Sequence, residues 1–130
     1  MELTVNGRKA YAYTGGKPFD ATLPCIVFIH GALHDHSAWN LLARWFAHHG
    51  HAVLAPDQPG HGRSEGPPLE SVEALADWTL ALLDAATPTR ELSAALALRF
   101  PTTAILLKDG HGTDPTRVVD RLILGALGAR

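Results

Sequence analysis

The sequence predicts an α/β fold, a three-layer sandwich on a mostly parallel sheet of about five strands entered through an N-terminal β-hairpin. Three observations carry this expectation. The run Cys25-Ile26-Val27-Phe28-Ile29 is apolar without a break, as expected of a strand buried on both faces between helical layers. Asn6-Gly7 separates two short β-prone runs and supplies the two positive-φ positions of a tight hairpin turn. Downstream, runs of strand length alternate with stretches of helical period, the order from which parallel sheets with right-handed crossovers are built.

The hairpin pairs Leu3–Val5 with Arg8–Tyr13, and a loop with Gly15, Gly16 and Pro18 leads into the central strand. Ser37 is placed to cap a helix running to His49, with Trp39, Leu42, Trp45 and Phe46 on its inner stripe and Gly50 as its stop. Ala52–Ala55 is a second core strand. Residues 56–68 are dense in Gly, Pro and Asp and read as an extended loop. Leu69, Val72, Leu75, Ala76, Thr79, Leu82 and Leu83 share one face of a helix ending near Ala86. Thr87-Pro88 opens another helix to about Arg99, Pro101 ends it, and Thr102–Leu107 is a third core strand. Asp114-Pro115 caps a closing helix with Val118, Val119, Leu122, Ile123 and Leu127 inward.

Composition narrows the function. A chain of 130 residues, 46% hydrophobic and 18% charged with net charge −2, is expected to bury one core and form one domain, residues 1–130. Lys and Arg are scattered, with no basic run or aromatic-interleaved stripe for nucleic acid. No stretch approaches the ~20 apolar residues of a spanning helix, and the N-terminus lacks an apolar signal core. Cys25 stands alone in an apolar run, which excludes a disulfide framework and favours a reducing compartment. A cytoplasmic protein without membrane contact or cofactor is expected.

In an open α/β sheet the chemistry sits at the carboxyl ends of the strands. After Ile29 comes His30-Gly31-Ala32-Leu33-His34-Asp35-His36-Ser37-Ala38-Trp39, and after Ala55 comes Pro56-Asp57-Gln58-Pro59-Gly60-His61-Gly62-Arg63-Ser64. In this order and spacing the two loops resemble the α/β-hydrolase superfamily, whose HG dipeptide shapes an oxyanion hole and whose D-x-P-G-H-G-R-S loop shapes the pocket mouth. The later part resembles the other end of that fold: Thr87-Pro88, then Lys108-Asp109-Gly110-His111, then the closing amphipathic helix. The resemblance implies an esterase- or lactonase-like chain that joins the family's two ends without the strand and G-x-S-x-G elbow between them. Shortening by nature or by design leaves the same pattern. Thr102–Leu107 is then expected to pair in parallel with Cys25–Ile29, covering the side the deletion opens.

Acyl transfer needs a nucleophile, a base, a group that orients the base, and oxyanion donors. Gly62-Arg63-Ser64-Glu65-Gly66 satisfies the G-x-S-x-G string, but Ser64 lies several residues past the strand rather than on a strand-to-helix elbow. Ser37 reads as a cap, and Ser71 and Ser93 fall on helices. His111, between two glycines after a core strand, is the candidate base. By resemblance Asp84, in Asp84-x-x-Thr87-Pro88, is the candidate acid, although its helical phase after Leu82-Leu83 favours a plain helix position; Asp109 or Asp57 serve equally to orient His111. By the same resemblance His30, Gly31 and Ala32 supply the oxyanion site, where a tight turn requiring glycine is the plain alternative. The triad is therefore expected to be incomplete, and the chain weakly active or inactive toward a small-molecule ester. Two other classes stay open. The shortened sheet edge offers a pairing surface for a homodimer or a binding module. His30, His34, His36, His61 and His111 on neighbouring loops could converge on a metal, although no CxxC or HExxH spacing supports it and no metal is assigned.

Overall fold

The computed structural model describes residues 1–31, 33–86 and 104–107. Five strands form one sheet: β1 (Glu2–Val5), β2 (Arg8–Tyr13), β3 (Cys25–Ile29), β4 (Ala52–Pro56) and β5 (Ala104–Leu107), in the order β1-β2-β4-β3-β5. Asn6 and Gly7 take φ of 52° and 78°, so the hairpin turn forms where the dipeptide places it. β3 pairs in parallel with β4 through Ile26↔Val53, and on its other side in parallel with β5 through Ile26↔Ala104 and Ile29↔Leu107. The expected partner of the central strand is thus present within the chain.

The sheet is mixed rather than mostly parallel, a correction to the sequence reading. The hairpin does not stand apart: β2 runs antiparallel to β4 through Ala12↔Pro56 and Tyr13↔Ala55, so two antiparallel pairings balance two parallel ones. The cause is local. β2 enters the sheet as the return strand of the hairpin, and it reaches β4 in the opposite sense.

Among the described residues two helices flank the sheet. A short 3-10 turn (His36–Trp39) leads into α1 (Asn40–Ala47), and α2 spans Val72–Ala86. Side chains alternate along each strand, and the two sets meet different helices. Ile26, Phe28, Val53 and Ala55 pack with Ala43 and Ala47 of α1, whereas Cys25, Val27, Ile29, Ala52 and Leu54 pack with Leu83 and Ala86 of α2. Earlier in α2, Trp78 and Leu82 close over Val5 and Ala10 of the hairpin. This gives the helix–sheet–helix layering the apolar run implies.

The inner stripe of α1 differs from expectation. Ala43 and Ala47 are its buried positions, while Leu42 and Trp45 are 48% and 53% exposed. Gly15 explains why small residues face inward: at φ +79°, a Cβ there would lie 2.5 Å from both the Ala43 carbonyl oxygen and the Ala47 Cβ. The loop before β3 rests on the helix backbone, so Leu42 and Trp45 are turned outward, whereas Trp39 and Phe46 pack against Phe28 on the inner side as expected. The helix beginning is also reassigned. The Ser37 N–H donates to Asp35 Oδ1 at 2.8 Å, so Asp35 is the cap and Ser37 lies inside the turn. Ser71, by contrast, accepts from the Ala74 N–H at 3.0 Å and caps α2.

Candidate functional site

The loops after β3 and β4 meet at the carboxyl edge of the sheet, and Asp57 is where they join. Its side chain is 0% exposed. Oδ1 accepts from the His36 backbone N–H (2.7 Å) and from His36 Nδ1 (2.9 Å), and Oδ2 accepts from the Arg63 N–H (2.9 Å). A carboxylate only accepts, so His36 Nδ1 carries a proton. Burying a charge demands such partners, and the D-x-P-G-H-G-R-S sequence supplies room for them. Gly62, at φ +51°, passes so close that a Cβ would sit 2.3 Å from Asp57 Oδ2. Arg63 then turns its guanidinium over the Tyr11 ring, 4.8 Å from the centroid.

Ser64 ends this loop, buried. Its hydroxyl donates to the Asp57 carbonyl oxygen (2.6 Å) and accepts from the Tyr11 N–H (3.0 Å), fastening the loop to β2. Both the proton and a lone pair are committed to backbone groups. No base faces it. The string Gly62-Arg63-Ser64-Glu65-Gly66 is therefore a loop anchor in this fold.

His30 is buried and also fully engaged. The Gln58 N–H, which can only donate, points at Nε2 (3.0 Å), while Nδ1 lies 2.6 Å from the Gly31 carbonyl oxygen, which can only accept. The ring is accordingly neutral with its proton on Nδ1. Burial pushes its pKa below the ordinary 6.5, opposed by the Gly31 hydrogen bond and reinforced by the neighbouring His61, whose ring centroid lies 5.2 Å away. The Gln58 amide also donates to the His30 carbonyl oxygen. Gly31 is buried, and its carbonyl additionally accepts from the His34 N–H at 3.3 Å, closing the tight turn. Next in this turn, Leu33 takes φ +63° and is 93% exposed, an uncommon conformation for a residue with a Cβ.

The predicted site residues fall into two groups. His30 and Gly31 stand at the carboxyl edge as expected, and Asp84 is exposed near the end of α2, in the helical position its phase favours. Ala32, Asp109 and His111 lie outside the described residues, as do Ser93, the segment from Thr87 to Arg99 and the closing helix. Asp57, one candidate for orienting His111, gives its carboxylate to His36. Gln58 and Tyr11 were not singled out by the sequence, because their partners come from other strands and loops at no regular spacing.

Among the described residues, Asp35, His36 and Asp57 bring potential ligand atoms within 4.8 Å of one another. Their oxygens are already occupied by protein donors: Asp57 by three, Asp35 by Ser37, which holds the Asp35 carboxyl below its ordinary 3.8. His30 has neither ring nitrogen to offer. The rings of His30, His36 and His61 are thus each tied into the protein's own hydrogen bonds through at least one nitrogen. Clefts of about 660 Å³, beside Thr14, Phe19 and His51, and about 420 Å³, beside the hairpin and Pro67, lie away from His30 and Gly31.

A hairpin, a parallel core crossed from β4 over β3 to β5, and two loops locked at its carboxyl edge define an α/β-hydrolase type of fold. Residues 26–107, well over half of the chain, match the sequence profile of the alpha/beta hydrolase family, and the chain belongs to that family. Solved structures agree. A structure described as Est816, an N-acyl homoserine lactone degrading enzyme, is 25% identical with a TM-score of 0.57, the match covering 98% of this chain and 55% of that one. A predicted CIB-like hydrolase from Thermoplasma acidophilum is 20% identical with a TM-score of 0.60, over 82% of this chain and 60% of that one. Epoxide hydrolase A from Mycobacterium thermoresistibile is 22% identical with a TM-score of 0.56, over 96% and 44%. The chain therefore spans less than two thirds of the length of each of these proteins. No curated protein matches it in sequence. No helix among the described residues is long and apolar enough to cross a membrane.

Proposed function

We propose that this chain is a hydrolase-derived domain of the carboxylic-ester or lactone type that keeps the two loops shaping the substrate edge but has no serine able to act as nucleophile, and is weakly active or inactive in covalent catalysis. The observation that carries this reading is the state of Ser64. It is the serine inside the G-x-S-x-G string, and its hydroxyl is spent on the Asp57 carbonyl and the Tyr11 N–H. Ser71 is spent on the α2 cap. A nucleophilic serine needs the opposite arrangement, a hydroxyl free of structural duty and facing a base on a strained elbow.

On this reading His30, Gly31 and Ala32 form the remnant of an oxyanion site, and His111 is the base that remains, with Asp84 or Asp109 to orient it. Est816, described as degrading N-acyl homoserine lactones, supports including lactones in the substrate class. Steady-state hydrolysis of p-nitrophenyl esters and of an acyl homoserine lactone tests the proposal. Turnover within about tenfold of an imidazole solution is expected; burst kinetics, the mark of an accumulating acyl-enzyme, would refute it.

A second reading is favoured by the position of β5. It ends the strand order and has β3 as its one neighbour in the sheet among the described residues. Such an edge is a template for another chain, and a homodimer paired there would show as concentration-dependent mass in analytical ultracentrifugation.

A further inference from the structure

The described histidines divide by what their Nδ1 meets. His30, His48, His49, His51 and His61 each turn it to a backbone carbonyl oxygen. His36 alone among the described residues turns it to a carboxylate, and that carboxylate, Asp57, is 0% exposed. The ring is held from several sides. Its own backbone N–H reaches the same Oδ1, the Tyr11 ring meets it edge-on at 5.0 Å, and the Tyr13 ring lies at 5.9 Å. With the proton fixed on Nδ1, the lone pair of the neutral ring is on Nε2. Nε2 has no hydrogen-bond partner among the described residues, and the His36 side chain is 18% exposed.

An imidazole whose Nδ1–H is held by a buried carboxylate and whose Nε2 is open has the arrangement of a general base: the carboxylate fixes the tautomer and stabilises the imidazolium that forms. We propose that Asp57 and His36 form a base pair of this kind, outside any serine-dependent chemistry, that activates water against small activated acyl compounds such as aryl esters. The proposal rests on the preceding reading only in needing no serine nucleophile. Nε2 takes a proton from water as the water oxygen bonds to the acyl carbon and the carbonyl pair moves onto its oxygen. Collapse restores the carbonyl and breaks the bond to the aryl oxygen, which leaves as aryloxide and takes the proton from Nε2. Ester and water give carboxylic acid and phenol, with Asp57 unchanged.

The test uses the whole chain and p-nitrophenyl acetate. His36→Gln keeps the backbone N–H bond to Asp57 and removes the base; it is made both alone and in a His111→Ala background, with His61→Gln as a control. In the His111→Ala background the rate above buffer is expected to fall about tenfold, less than the ~10²-fold a base inside a closed site supplies, and to show a normal solvent deuterium isotope effect before the second change. His61→Gln is expected to have no effect. An unchanged rate on His36→Gln in that background overturns the proposal, as does accumulation of an acyl-histidine, which would mean direct attack by the ring. ¹⁵N shifts of the unaltered protein add a measurement independent of variant folding: His36 protonated on Nδ1 is expected, and the Nε2–H tautomer contradicts it. A covalent serine adduct would sink the preceding proposal and leave this one standing.

Discussion

Replacing Asp57 by alanine is expected to cost more than any other single polar change in the described structure. Three donors lose their acceptor: the His36 N–H, His36 Nδ1–H and Arg63 N–H. A buried group left without a partner costs about 1–3 kcal/mol. These donors are part-buried and regain some hydration, so the low end applies and the sum is about 3 kcal/mol. Set against the roughly 5–15 kcal/mol that holds a domain together, that is a serious loss. Asp57→Asn should cost less, about 2 kcal/mol, because the amide oxygen still accepts from His36 while the NH₂ confronts the Arg63 N–H. Urea unfolding followed by tryptophan fluorescence reads both. With a slope of about 1–3 kcal/mol per molar, the alanine variant's midpoint should fall by at least about 1 M with the slope unchanged. A loss below about 1 kcal/mol for Asp57→Ala would show that the buried carboxylate does not hold the two loops together.

Three further outcomes follow from the same geometry. His30 has its pKa lowered by burial, so below its ordinary 6.5 the unfolded chain binds a proton the folded one resists; stability is then present above about pH 6.5 and declines as pH falls. The urea midpoint should drop between about pH 7 and about pH 5, and drop less in His30→Gln. Gly62→Ala should destabilise by about 2 kcal/mol or more, since φ +51° and a Cβ 2.3 Å from Asp57 Oδ2 both oppose it; a thermal midpoint within one degree of the parent, on the order of 0.2 kcal/mol, would count against the close approach. Ser64→Ala should cost about 1–2 kcal/mol in the same urea assay and leave ester hydrolysis unchanged, whereas a fall in hydrolysis without a fall in stability would return Ser64 to the chemistry.

Much of the architecture is legible in the sequence because it follows from period and punctuation. Cys25–Ile29 is apolar on both faces because helices cover both faces, and Asn6-Gly7 turns because it tolerates positive φ twice. The pairing of Ala104–Leu107 with β3 is legible too, since an apolar strand left open on one side needs a β-rich partner. What escapes is set by contacts distant in sequence. The orientation of α1 depends on Gly15 lying against Ala43 and Ala47, which reverses the preference of Leu42 and Trp45 for the interior. The mixed character of the sheet depends on β2 finding β4, two strands 39 residues apart at Tyr13 and Ala52. At the site, His30 and Gly31 are visible as a motif, but the pinning of His30 by Gln58 and the engagement of Asp57 with His36 join separate loops, and no spacing announces them.

The central claim is that a hydrolase-family edge persists here without a nucleophilic serine. Incubating the protein with a fluorophosphonate ester and weighing it intact tests this most directly. Such a reagent phosphonylates a serine only where a base has activated it, with loss of fluoride. The mass is expected to stay that of the unmodified 13.9 kDa chain, before and after prolonged exposure. A single added phosphonyl group, localised by peptide mapping to any of Ser37, Ser64, Ser71 or Ser93, would contradict the account.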